Sequence, residues 1–98
     1  MPVETRDVGG ATASASFEEL YATAAARLVT QLYLVTGDVE EARDCVQEGF
    51  ARAWLRWEAL QRTADDPAAW IYAVSYRIAV SRFRRTLAHA RALRAPVT

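Results

Sequence analysis

From Phe17 onward the apolar residues return at helical spacing. Phe17, Leu20, Tyr21, Ala24, Leu28, Leu32 and Val35 share one stripe and predict a first helix from about Phe17 to Thr36. Ser16 stands in front of it with Glu19 three residues on, the pairing of a capping box, and Gly37 is its stop signal. Asp38, with Glu41 at the third position, opens a second helix from about Val39 to Trp57 or slightly beyond. At about 100° per residue, Ala42, Val46, Gly49, Phe50, Ala53 and Trp57 gather on one core face. Asp44, Gln47, Glu48, Ala51 and Leu55 gather on the opposite one. That opposite face is acid and amide around a small or apolar centre, and a face made only for water would carry more charge and no leucine.

The stretch from Leu60 to Asp66 reads as a loop. Asp66-Pro67, an N-cap acid before a proline at the first helical position, starts a third helix that runs to near Ala90. Ile71, Val74 and Ile78 give it one core stripe. Tyr72, Tyr76, Val80, Phe83 and Leu87 give it a second apolar arc, which predicts a helix wedged between two neighbours. The remaining strip is Trp70, Ala73, Arg77, Ser81 and Arg84, flanked by Arg82 and Arg85. Residues 1–15, small and polar with two glycines, read as a disordered leader, and residues 91–98 as a frayed end or the start of a linker. The expectation is an all-α, compact three-helix bundle over residues 16–90.

Charge adds what periodicity cannot. The formal net charge is zero, with twelve acids against twelve basic residues, all of them arginine. Every acid lies at or before Asp66, and residues 67–98 carry arginines and no acid. The third helix and its tail are therefore cationic and the first two helices acidic, a split that suits a basic partner at one end and a polyanion at the other. The lone Cys45 has no internal disulfide partner and points to a reducing cytoplasm, with the thiol a packing residue beside the second helix's core face. No apolar run approaches the roughly 18 residues of a membrane span, and the N-terminus lacks the marks of a secretory signal.

The arginine strip is the best functional signal. Arginines track phosphates, and an aromatic at the helix start can stack on a base. Cations also suit a helix C-terminus, which accounts for Arg84 and Arg85 but not for Trp70 or Arg77. For the Asp44, Gln47, Glu48 and Leu55 face, the choice lies between solvated surface and docking to a basic helical partner. Catalysis has little support. The single histidine, His89, sits near the chain end, no His/Cys/carboxylate set has metal-ligand spacing, and no glycine-rich phosphate loop occurs. No enzyme, metal or cofactor is expected.

Two segments, GDVEEARDCVQEGFARAW (residues 37–54) and WIYAVSYRIAVSRFRR (residues 70–85), together with the spacing between them, resemble region two of bacterial RNA polymerase sigma factors of the extracytoplasmic-function (ECF) group. The opening FEELY at residues 17–21 fits the first helix of that domain, so the resemblance covers roughly residues 16–86. Its most specific element is Asp-x-x-Gln-Glu-x-Phe, here Asp44, Gln47, Glu48 and Phe50, coupled to a downstream Trp-Ile and a closing Arg-Arg.

The resemblance implies a promoter-recognition domain of an alternative sigma factor. Asp44, Gln47, Glu48 and Leu55 would contact the clamp helices of the polymerase beta-prime subunit, with Phe50 supporting them from the core side. The last helix and the loop before it would hold the melted non-template strand of the minus-ten promoter element. Arg62, Thr63 and Ala64 would lie at the pocket of a captured base, and Trp70, Arg77, Ser81, Arg84 and Arg85 would face the strand. The family often has asparagine at the place of Arg77 and aspartate at that of Ser81, so this chain attracts phosphate more strongly there and its base preference is open. The resemblance also implies an anti-sigma factor as a partner. Full-length members carry a second helical domain that reads the minus-thirty-five element, and these residues do not contain one, so the chain is either a fragment or a lone region-two protein. The competing reading is a sigma-like interaction module that binds polymerase or a regulator without reading DNA.

Overall fold

The computed structural model describes residues 2–94, with side chains from Thr12 onward. The chain forms α1 (Pro2–Thr36), α2 (Val39–Leu55), α3 (Trp57–Thr63) and α4 (Pro67–Arg94), with no strand among the described residues. Three long helices make the expected all-α bundle, and α3 is a short fourth.

The joints follow local chemistry. Gly37 takes φ +72°, a left-handed backbone that costs glycine nothing, and its N–H donates to the Tyr33 carbonyl at 2.8 Å. Asp38 then caps α2, its Oδ1 accepting from the Glu40 and Glu41 N–H groups at 3.0 and 3.2 Å. This tight connection turns α2 back along α1. Asp66 caps α4 in the same way, through the N–H groups of Ala68 and Ala69 at 3.1 and 3.3 Å.

The core lies where the three long helices meet. α1 supplies Ala24, Leu28 and Leu32; α2 supplies Ala42, Cys45, Val46, Phe50 and Ala53; α4 supplies Ala68, Ile71, Ile78 and Ala79. Every residue expected on the core face of α2 is buried. An aromatic cluster closes one end: Phe17 meets Phe50, Trp54 and Trp57 at centroid distances of 6.0, 5.0 and 5.2 Å, and Tyr21 meets Phe50 at 4.8 Å. Where α2 crosses α4, Gly49 lies against Ser75, which is fully buried and donates from Oγ to the Ile71 carbonyl at 2.8 Å.

Some expectations are corrected. The backbone of α1 is helical from Pro2, and Ser16 lies inside the helix rather than capping it. The Trp57 indole N–H, donating to the Ala13 carbonyl at 3.0 Å, ties that earlier turn to the core. The loop expected from Leu60 begins as helix, because Trp57 and Leu60 are buried one turn apart and carry α3 across the end of the bundle. Arg56, at φ −120° and ψ 17°, separates α3 from α2, so the second helix stops at Leu55 rather than running through Trp57. At the far end α4 continues past Ala90 to Arg94; residues 95–98 of the expected tail lie outside the described residues. Finally, the second apolar arc of α4 is not wedged. Tyr76, Phe83 and Leu87 are exposed, Phe83 by 66 %, because α1 and α2 occupy one side of the helix only.

Candidate functional site

Two surfaces carry the residues singled out in the sequence. On α2, burial of Ala42, Val46, Gly49, Phe50 and Ala53 turns the opposite face outward. Gln47 is exposed, Glu48 half-buried, and Leu55 is an apolar side chain 84 % exposed. Phe50, at 3 % exposure, supports this face from beneath.

Asp44 shares the exposed face but already has a partner. Its Oδ2 accepts from Arg82 Nη1 of α4 at 2.6 Å, and the same nitrogen donates to Glu41 Oε1 at 3.3 Å. Both acids hold the Arg82 charge, the Asp44 hydrogen bond most of all, and raise its pKa further above the ordinary arginine value. Arg82, which the sequence placed at the edge of the arginine strip, thus lies across the seam between α2 and α4. Beneath it the Cys45 thiol is fully buried, donates to Glu41 Oε1 at 3.5 Å, and has its pKa pushed up to about 11. Burial is the main cause; the nearby Arg82 charge opposes it and Glu41 reinforces it. A thiol so held is protonated at neutral pH and inert as a nucleophile.

On α4, Arg77, Ser81, Arg84 and Arg85 line one shallow groove of about 430 Å³ together with Tyr76 and Val80. Among the described residues, Arg77, Arg84 and Arg85 have no carboxylate within ion-pair distance. Three unpaired guanidinium groups, a hydroxyl and a tyrosine ring in one trough make a surface suited to an anionic, partly aromatic ligand. Tyr76 and Val80 belong to the apolar arc of the sequence pattern and border the strip as well; their places next to Arg77 and Ser81 are the signal for it. Arg85 also borders a wider neighbouring groove of about 800 Å³, lined by Val35, Glu41, Arg82 and Phe83 among others.

The remaining candidates lie apart from that groove. Trp70 is on the same face of α4 about two turns earlier, half-buried and packed against the core. Arg62 and Thr63 are exposed on the last turn of α3, and Ala64, half-buried, is its C-cap. Arg62 pairs with Glu58 at 3.0 Å, and the Thr63 hydroxyl donates to the Ala59 carbonyl at 2.8 Å. No group of His, Cys, Asp and Glu among the described residues is arranged to hold a metal ion. No helix of the described residues is long and apolar enough to cross a membrane.

Comparison with known proteins gives the chain a family. The family model for sigma-70 region 2 matches residues 15–88. The chain belongs to the sigma-70 region 2 family. Among curated relatives of this region 2 domain, the ECF RNA polymerase sigma factor SigJ of Mycobacterium tuberculosis is 39 % identical over 64 residues, which is 65 % of this chain and 19 % of the relative. The ECF RNA polymerase sigma factor SigL of the same organism is 35 % identical over 79 residues, 79 % of this chain and 45 % of the relative. The region 2 domain thus spans less than half the length of either relative. No solved structure matches it significantly.

Proposed function

We propose that this domain acts in transcription initiation as the polymerase-docking and promoter-opening part of an ECF sigma factor. The exposed face of α2, with Gln47, Glu48, Leu55 and the carboxylate of Asp44, would dock on the clamp helices of the polymerase beta-prime subunit. The groove of Arg77, Ser81, Arg84 and Arg85 would hold the non-template strand of the melted minus-ten element. Arg62, Thr63 and Ala64, with Trp70 beyond them, would border the site of the captured base. Single-strand capture needs cations for the phosphates and a flat ring or polar edge for the bases. The observation that carries the reading is the gathering of three unpaired arginines with Tyr76 and Ser81 in one trough of α4, on a different face from Gln47 and Leu55.

The test is direct. A labelled single-stranded oligonucleotide should bind the domain with affinity that falls steeply with salt, and R77A/R84A should reduce the log–log salt slope by about 1.4, two single-strand phosphate contacts at about 0.7 each. Binding that is unchanged by R77A/R84A, alongside polymerase association lost in Q47A, would leave an interaction module that does not touch DNA. Equal affinity for a duplex of any sequence would identify a general DNA binder instead.

A further inference from the structure

Arg82 lies between the two surfaces and belongs to neither as the molecule stands. It follows Ser81 directly and precedes Arg85 by one turn, and both of those residues line the arginine groove. Its own guanidinium crosses to α2 and is held by Asp44 at 2.6 Å and Glu41 at 3.3 Å. The bridge is open to water on the Asp44 side, where the carboxylate-bearing side chain is 64 % exposed against 33 % for Arg82. A partner can therefore reach Asp44 without displacing the helix beneath it. A buried clasp would be a fixed strut, whereas this one is an exchangeable ion pair.

We propose that Arg82 is a further phosphate-binding residue of the groove, kept in reserve by Asp44 and Glu41 and released when a cationic group of the docked partner takes Asp44. The proposal rests on the reading of α4 as a strand-binding surface. In the free domain the pair masks a cation that the DNA strand could use and an acid that the polymerase could use. A basic side chain arriving at Asp44 competes for its carboxylate. The long, flexible stem of Arg82 then lets its head turn toward Arg85 and the strand phosphates. Arg85, which lines both the arginine groove and the neighbouring groove that Arg82 lines, marks the ridge the head must cross. Docking would therefore strengthen strand binding, and by linkage the strand would strengthen docking by the same factor.

The experiment imitates release without the partner. Binding of the 98-residue chain to a fluorescein-labelled pool of short single-stranded DNA is followed by anisotropy over a salt series. Asp44→Asn should raise affinity about threefold to tenfold and steepen the salt slope by about 0.7, the share of one more single-strand phosphate contact. Glu40→Gln removes an equal charge from the same helix, and among the described residues Glu40 pairs with Arg43 rather than Arg82, so the change should leave the slope unchanged. In an R82A background the effect of Asp44→Asn should vanish. Glu41→Gln provides a second release variant should Asp44→Asn disturb folding, checked by thermal melting. The proposal is overturned if Asp44→Asn and Glu40→Gln act alike, or if the gain survives R82A. A separate outcome, strand binding indifferent to R77A/R84A, would remove the underlying reading and this proposal with it. Loss of binding in R77A/R84A with no gain in Asp44→Asn would remove the reserve role alone.

Discussion

At the scale of single residues, the crossing of α2 over α4 turns on the absence of one side chain. A Cβ on Gly49 would land on Ser75 Oγ and come within 3.1 Å of the Ile71 carbonyl, so the Ser75 side chain would have to move and the two helices give slightly. Gly49→Ala should cost about 1–3 kcal/mol through overpacking, more than the roughly 1 kcal/mol that alanine gains in helix propensity. Urea denaturation would read the difference, and S75A in the same chain should return part of it, since the two positions are in contact and their effects are coupled. Periodicity placed Gly49 on the core face but said nothing of the close approach, and Ser75 was invisible to a search for apolar stripes although it sits among them. Cys45 offers a second check. Its folded pKa of about 11 lies above the ordinary thiol value of 9.0, so the unfolded chain loses the thiol proton first as pH rises. The stability it contributes is full below pH 9.0 and lost as pH climbs toward about 11. The wild type should therefore fall relative to C45A across that window in a pH series of denaturation midpoints, and the two should run parallel below it.

At the scale of elements, the helix starts were readable because they rest on short-range chemistry. Asp38 and Asp66 cap α2 and α4 as their sequence contexts imply, each through two backbone N–H groups. Asp66→Ala should lower stability by about 1 kcal/mol, measured by urea titration, because it leaves donors at the first turn of α4 without their acceptor. What the sequence hid were features that depend on tertiary partners. The turn of α1 at Ala13 is tied by an indole bond from a residue 44 positions away. The α2–α3 break at Arg56 lies within an unbroken apolar rhythm, so only backbone geometry reveals it. The arginine strip of α4 was legible because 77, 81 and 84 fall on one face by helical arithmetic alone. The direction of Arg82 was not legible: it sits about 100° from Ser81, and its choice between a groove and the acids of α2 depends on where α2 packs.

At the scale of the whole molecule, the acid-free residues 67–98 and the acidic remainder are joined across one seam, where Arg82 meets Glu41 and Asp44. Elsewhere the two characters stay apart: Gln47, Glu48 and Leu55 look outward from α2, while Arg77, Ser81, Arg84 and Arg85 line their groove on α4. Surfaces built on separate helices and anchored in a common core should fail separately. Q47A combined with L55A removes polar and apolar contact from the α2 face and touches no buried residue, so it should weaken association with core polymerase about tenfold or more, as truncation of well-packed interface residues does. The same chain should bind single-stranded DNA as the wild type does, with an unchanged salt slope. R77A/R84A should do the reverse at the level of the isolated domain, lowering DNA affinity and slope while core polymerase is retained. Pull-down on core enzyme and anisotropy on the oligonucleotide, run on both variants, give four readings. A loss of both activities in either variant, with melting temperatures intact, would mean that one surface serves both partners and that the division between α2 and α4 is wrong.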